Sequence, residues 1–121
     1  MRNKYYEYQV DGKPILVPDN VEIGENDIDA EDSGRDESGI MHRQVLRERV
    51  KTWGFSFAVL SRMDYRYLNH LFAGKADFEF KYRGLDGQPV KTRAYCSKLS
   101  VTQYNAKLGI YKNLKFNIIE C

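Results

Sequence analysis

The sequence predicts a mainly β protein with one α-helix, an antiparallel β-sandwich or small barrel. Apolar and polar residues alternate with a period of two at 53–59, 78–82 and 114–118, the pattern of half-buried strands. A single stretch, at 67–72, has helical spacing instead. Aromatic residues make up 13% of the chain, led by 9 Tyr and 6 Phe, and such side chains favour pleated surfaces.

The elements follow in order. Residues 5–10 and 13–17 read as two short strands joined by Asp11-Gly12, a pair that accepts positive φ at both positions of a tight hairpin turn. Pro14 and Pro18 cannot donate ladder hydrogen bonds, so the second strand either sits at a sheet edge or ends at Pro18. Residues 24–41, GENDIDAEDSGRDESGIM, carry seven carboxylates, three Gly and two Ser and read as one long acidic loop. Loops longer than about 12–15 residues are uncommon in compact domains and usually serve a function or stay disordered.

A long strand is expected over 44–60. In its second half Trp53, Phe55, Phe57 and Val59 share the core face. In its first half Arg47, Arg49 and Lys51 fall on that same face, so the strand either projects beyond the core or carries a bulge near Lys51. Ser61, with Asp64 three residues on, starts a helix that runs to about Ala73, with Tyr67, Leu68, Leu71 and Phe72 as its apolar stripe and Gly74 after it. Strands follow at 78–83, 90–101 and 114–118, the first two joined around Asp86-Gly87. The expected core is Trp53, Phe55, Phe57, Leu68, Leu71, Phe78, Phe80, Leu114, Phe116 and Ile118.

With 121 residues, 42% hydrophobic and 30% charged, the chain fits one β-rich domain spanning 1–121. No apolar run reaches the roughly 20 residues that cross a bilayer, and the polar, aromatic start MRNKYYEYQV has no leader-like core, so a cytosolic protein without membrane partners is expected. Cys96 and Cys121 lack metal-ligand spacing and read as reduced structural thiols. The formal charge of +2 hides a division. Residues 1–41 hold 11 Asp and Glu against 4 Lys and Arg, a net of −7, while residues 42–121 hold 6 against 15, a net of +9. The acidic positions Asp27, Asp29, Glu31, Asp32, Asp36 and Glu37, with Arg35 among them, are therefore candidate assembly contacts for the basic positions Arg43, Arg47, Arg49 and Lys51.

Chemistry is sparse. His42 and His70 have no nearby nucleophile motif, so no catalysis is expected. The alternation of Asp27, Asp29 and Glu31 imitates a calcium loop, but starting at Asp27 puts Asp32 at the turn glycine and Ser38 at the bidentate position, and starting at Asp29 puts Ile40 there. No phosphate-cradling glycine loop is present. No metal, cofactor or small-molecule substrate is expected. The basic run 43–51 followed by Trp53 and Phe55 leaves one alternative open: an adaptor or nucleic-acid-binding module that tracks phosphates and stacks bases.

Finally, DSGRDESGIMHR at 32–43, WGFSF at 53–57, the short helix and the closing NLKFNIIE resemble a family of small, uncharacterised tail-associated proteins of bacteriophages and prophages of Gram-positive bacteria. The resemblance spans roughly residues 20–120. It implies a structural, non-catalytic tail component, whether tail-tube, baseplate or adaptor subunit, working by protein–protein assembly. Its element order is similar to tail-tube and distal-tail folds, in which two packed sheets with one flanking helix form hexameric rings. It further implies self-association into rings or tubes, contact with other tail proteins, nucleic acid only as DNA passing through a tail, and a path from the host bacterial cytoplasm into the virion tail.

Overall fold

A computed structural model describes residues 3–29, 34–35, 41–42 and 45–121, with side chains over 3–25 and 50–121. Ten strands and one helix follow in the order β1 (Lys4–Val10), β2 (Lys13–Leu16), β3 (Asn20–Asp29), β4 (Gly34–Arg35), β5 (Met41–His42), β6 (Val45–Ser61), α1 (Arg62–Phe72), β7 (Phe78–Arg83), β8 (Pro89–Cys96), β9 (Ser100–Asn105) and β10 (Ile110–Glu120). Eight strands form one antiparallel sheet in the order β2-β1-β7-β8-β10-β6-β3, with β9 also paired to β10, while β4 and β5 pair separately. The sheet does not close into a barrel; β2 and β3 end it.

It folds on itself instead. The β8–β10 junction rests on three paired positions, Ile118, Ile119 and Glu120 against Cys96, Tyr95 and Ala94. About this narrow joint the β1/β7 half lies over the β6/β10 half, so that Tyr8 meets Phe55 edge-on at 5.2 Å and Trp53 meets Phe80 and Tyr82 at 4.7 Å. All ten expected core residues are buried, joined by Tyr8, Val10, Ile15, Leu16, Val50, Leu60, Tyr82 and Ala94. Offset and edge-to-face ring pairs contribute about 0.5–1.5 kcal/mol each beyond area burial.

The first hairpin is as expected: Asp11 and Gly12 take φ of 50° and 81°, and β2 lies at the edge. The turn is also tied to β7. Asp11 donates its amide to the Glu79 carbonyl at 2.9 Å, and its carboxylate accepts from the Glu79 amide at 3.0 Å and from Lys75 Nζ at 2.6 Å. These contacts, the Lys75 hydrogen bond first, hold the Asp11 carboxyl below its ordinary value. A depressed folded-state pKa contributes stability that is present above the unfolded value and lost as pH falls through the folded one. Asp11→Asn, which keeps a residue tolerant of positive φ, is thus expected to lower the melting temperature slightly at pH 7. The gap from wild type should close in melts run at progressively lower pH, below about pH 4; a gap constant with pH would show that the ionised carboxylate contributes nothing.

α1 is capped as the sequence predicts: the Ser61 hydroxyl accepts from the Asp64 amide at 3.2 Å, and the helix ends at Ala73 before Gly74 at φ 70°. Leu68 and Leu71 are buried, and Phe72 sits between Phe78 and Phe116, with ring centroids 5.5 and 5.0 Å away. The Tyr67 hydroxyl donates to the Pro14 carbonyl at 2.5 Å, fastening the helix to β2.

Three expectations are corrected. Residues 24–29 are not loop but the second half of β3, which stays in register with β6 through Glu25↔Lys51 and Asn26↔Val50 and continues to Asp29↔Val45. Carboxylates and glycine have low strand propensity, and an edge strand facing a basic neighbour escapes a periodicity reading. Residues 90–101 are not one strand. The chain breaks at 97–99, where the Ser97 amide donates to the Asn117 carbonyl at 2.8 Å and its hydroxyl accepts from the Asn117 amide at 3.1 Å; β8 ends beside the last residues of β10 and β9 takes up its first half. Val59 is 49% exposed, and Leu60 is buried in its place. The alternation slips at Ala58, whose amide donates to the Asp19 carboxylate at 2.6 Å, opposite Asn113 at φ 56°.

Candidate assembly surface

β6 is longer than its neighbour in the core. β10 accompanies it from Ser61 to Thr52, whereas β3 accompanies it from Ser56 to Val45. Residues 45–51 and 25–29 therefore continue past β10 as a two-stranded ribbon. The irregularity expected in the basic half of β6 is present there: the register shifts between Asn26/Ile28 and again between Ile28/Asp29, and each shift adds a residue on the β6 side. Bulges of this kind bend a strand and increase its twist.

Lys51 is the candidate contact whose side chain is described, and it is engaged within its own chain. Its ammonium lies 3.9 Å from the Glu25 carboxylate, 3.4 Å from the Tyr82 hydroxyl and 5.1 Å from the centre of the Tyr82 ring. A half-exposed pair of this sort contributes about 0.2–1 kcal/mol. The charge complementarity read from the sequence is thus realised, at this one position, between β3 and β6 of one subunit. Glu31, Asp32, Asp36, Glu37 and Arg43 lie outside the described residues. Asp27, Asp29, Arg35, Arg47 and Arg49 are placed by their backbone on β3, β4 and β6, and their side chains lie outside the description. The calcium reading falls on the same segment.

Trp53 and Phe55 are buried in the core, so neither presents a ring on which a base could stack. His70 is exposed on α1 beside a groove of about 360 Å³ lined by Lys13, Met63, Tyr67 and Leu71. Among the described residues no cluster of His, Cys, Asp and Glu is arranged to hold a metal ion. Burial pushes the Cys96 thiol up to about 11, while Cys121 is exposed. The thiolate is the reactive form, so at pH 8 the exposed Cys121 should react rapidly with a disulfide reagent and the partly buried Cys96 more slowly in the native protein. Two thiols reacting equally fast in the native protein would contradict the raised pKa of Cys96.

Sheet edges are the feature the sequence reading did not single out. Among the described residues β2, β3 and β9 each have one strand neighbour. β2 is four residues long and contains Pro14, both devices that blunt an edge. β3 has ten residues without proline, with Ile23 61% exposed on it. β9 is largely exposed, including Tyr104, whose ring lies 3.7 Å below the Lys112 ammonium. The signal lay in local charge: residues 19–29 hold five acidic and no basic side chains, and residues 97–115 hold four lysines and no acidic one.

No protein-family profile matches the chain, and no curated protein matches it. Among solved structures, a chain from the virion of a native gene transfer agent particle overlays it with a TM-score of 0.47 at 14% identity, over 90% of this chain and 83% of that one. An overlay this loose assigns the chain neither a fold nor a role.

Proposed function

We propose that this chain is a structural, non-catalytic subunit of a phage-like tail, a tube, baseplate or adaptor component that works by packing against other protein surfaces, including copies of itself. The observation that carries the reading is the paired ribbon of β3 and β6 continuing past β10, with β6 as the one strand neighbour of β3 among the described residues. A row of free amides and carbonyls on such an edge is a ready template for another strand. In sequence the run DSGRDESGIMHR lies between the two strands of this ribbon, and its residues Gly34–Arg35 and Met41–His42 pair as β4 and β5. The reading is tested by mass spectrometry and immunogold labelling of particles purified from a culture that produces them together with this chain. Stoichiometric recovery of the chain with label on the tail is expected. Absence of the chain from purified, tailed particles would overturn it.

A further inference from the structure

We infer that the tip of the β7–β8 hairpin of one copy, Leu85-Asp86, inserts into the groove between α1 and β2 of a second copy. This deepens the assembly reading by naming one contact between copies, and rests on it only in that the partner is the same chain.

The groove has the chemistry of a receptor for an apolar side chain that stands next to a carboxylate. Its volume is about 360 Å³, and Met63, Tyr67 and Leu71 supply the apolar part of its wall. Lys13, Arg66 and His70 line it too, and among the described residues no carboxylate does. Met63, Arg66 and His70 stand three and four residues apart on α1, which puts them on one face of the helix. Among the described residues none of the three basic side chains has an ion-pair or hydrogen-bond partner, so their donors are open to an incoming acceptor. A further cation, Lys4, lies 5.7 Å from the centre of the Tyr67 ring. The Tyr67 hydroxyl, bonded to the Pro14 carbonyl, fixes the wall between helix and strand.

The hairpin tip supplies the complement. Leu85 is fully exposed, and the exposed Asp86 follows it. Their turn is held closed by the Gly84 amide on the Gln88 carbonyl at 2.8 Å, the Gly87 amide on the Gly84 carbonyl at 2.9 Å and the Arg83 guanidinium on the Gly87 carbonyl at 2.5 Å. A side chain displayed on a turn so braced needs little further ordering to bind. Asp86 Oδ1 accepts from the Gln88 amide at 3.0 Å, and the carboxylate keeps a second oxygen for a partner. Other exposed apolar side chains fit less well. Leu108, likewise exposed in a turn, follows Lys107, which a basic groove repels; Ile23 lies within β3, and the Tyr104 ring carries the Lys112 ammonium over it at 3.7 Å.

The contact has to run between copies. Lys13 is level with Val10 and, through it, with Phe80 of β7. Leu85 lies past Arg83, where β7 ends, which is three residues or about 10 Å further along the strand and two strand spacings of about 4.8 Å across. A braced hairpin cannot fold back over that separation onto its own groove. Its tip lies instead beside Ile23 and Lys51, at the end of the molecule from which the β3–β6 ribbon continues. Tip and ribbon therefore face the same neighbour, while the groove on α1 is left for the copy behind. Two different surfaces of one chain meeting in this way give a ring when the rotation closes and a filament when it does not.

Charge exchange with a rescue tests the proposal in the full-length chain. Asp86→Arg sets a basic tip against a basic groove, and Arg66→Glu sets an acidic side chain in the groove against the acidic tip. Both positions are exposed, and native melting transitions verify that the variants fold. In sedimentation velocity at low salt the wild type is expected to form oligomers. Each variant alone should associate about tenfold more weakly, and the double variant, with Arg66→Glu and Asp86→Arg in one chain, should regain association because its tip and groove are again of opposite charge. Leu85→Ser gives a readout independent of charge: the side chain buries no area within its own subunit, yet its loss should weaken association by about tenfold. Oligomers of unchanged strength in Leu85→Ser and Asp86→Arg would overturn the proposal, and weakening by Arg66→Glu alone would then assign the groove to a different occupant. A wild type that stays monomeric at low salt and high concentration would overturn it as well, while recovery of the chain in particles would still stand or fall by its own measurement.

Discussion

Phe55→Ala is expected to lower the free energy of unfolding by about 3–5 kcal/mol, the range for deleting a fully buried aromatic ring and leaving part of its volume empty. The position joins the two halves of the folded sheet: its ring meets Tyr8 of β1 at 5.2 Å on one side and Phe116 of β10 at 5.2 Å on the other, and none of it is exposed. Removing it opens the gap between halves that are connected through the sheet only by the short β8–β10 junction, so little of the loss can be recovered by collapse. Urea denaturation of wild type and variant measures the difference. Val59→Ala is the internal control, since Val59 faces solvent; it should cost under about 0.5 kcal/mol, as surface substitutions do. A loss below about 1 kcal/mol at Phe55, or a loss at Val59 as large as that at Phe55, would mean that the strand face is assigned wrongly.

Leu68→Ala should cost about 2–5 kcal/mol. α1 has eleven residues, too short to persist in water without packing, so it depends on the side chains it inserts against the sheet. Leu68 is its one fully enclosed residue at 0% exposure, flanked by Leu71 and assisted by the stacking of Tyr65 on Tyr111 at 4.8 Å. The variant is expected to lose helical circular dichroism ahead of the sheet signal during a thermal melt. A variant whose melting temperature and spectrum match the wild type would show that the helix is held by its Tyr67–Pro14 hydrogen bond and its cap, with the apolar stripe incidental.

Both substitutions lie where the sequence was most legible, and the reason is physical. Burial on one face imposes a strict period, which is why the runs at Trp53, Phe78 and Leu114 and the stripe at Leu68 pointed to the right partners. Asp11-Gly12 and Gly74 were equally readable, because positive φ restricts the choice of residue. What the pattern could not show was any strand stabilised from one side only. Among the described residues β3 has β6 as its one strand neighbour, so the exposed Glu22 and Glu25 are acceptable there, and an acidic strand looked like a loop. The slip that exposes Val59 and buries Leu60 depends on a carboxylate from Asp19, distant in sequence, taking the Ala58 amide. The break between β8 and β9 depends likewise on Ser97 meeting Asn117.

The candidate surface was legible in part, through charge. The −7 against +9 division between residues 1–41 and 42–121 pointed to contact between acidic and basic groups, and in the folded chain the pairs Glu25–Lys51, Asp11–Lys75 and Glu7–Arg83 are all internal.

The account's central claim, assembly by packing against other protein surfaces, is tested most directly by an electron cryomicroscopy map of tailed particles recovered with this chain. The account predicts that the chain is built into the tail with its β3–β6 ribbon against a neighbouring protein. A tail in which that ribbon faces solvent would contradict it.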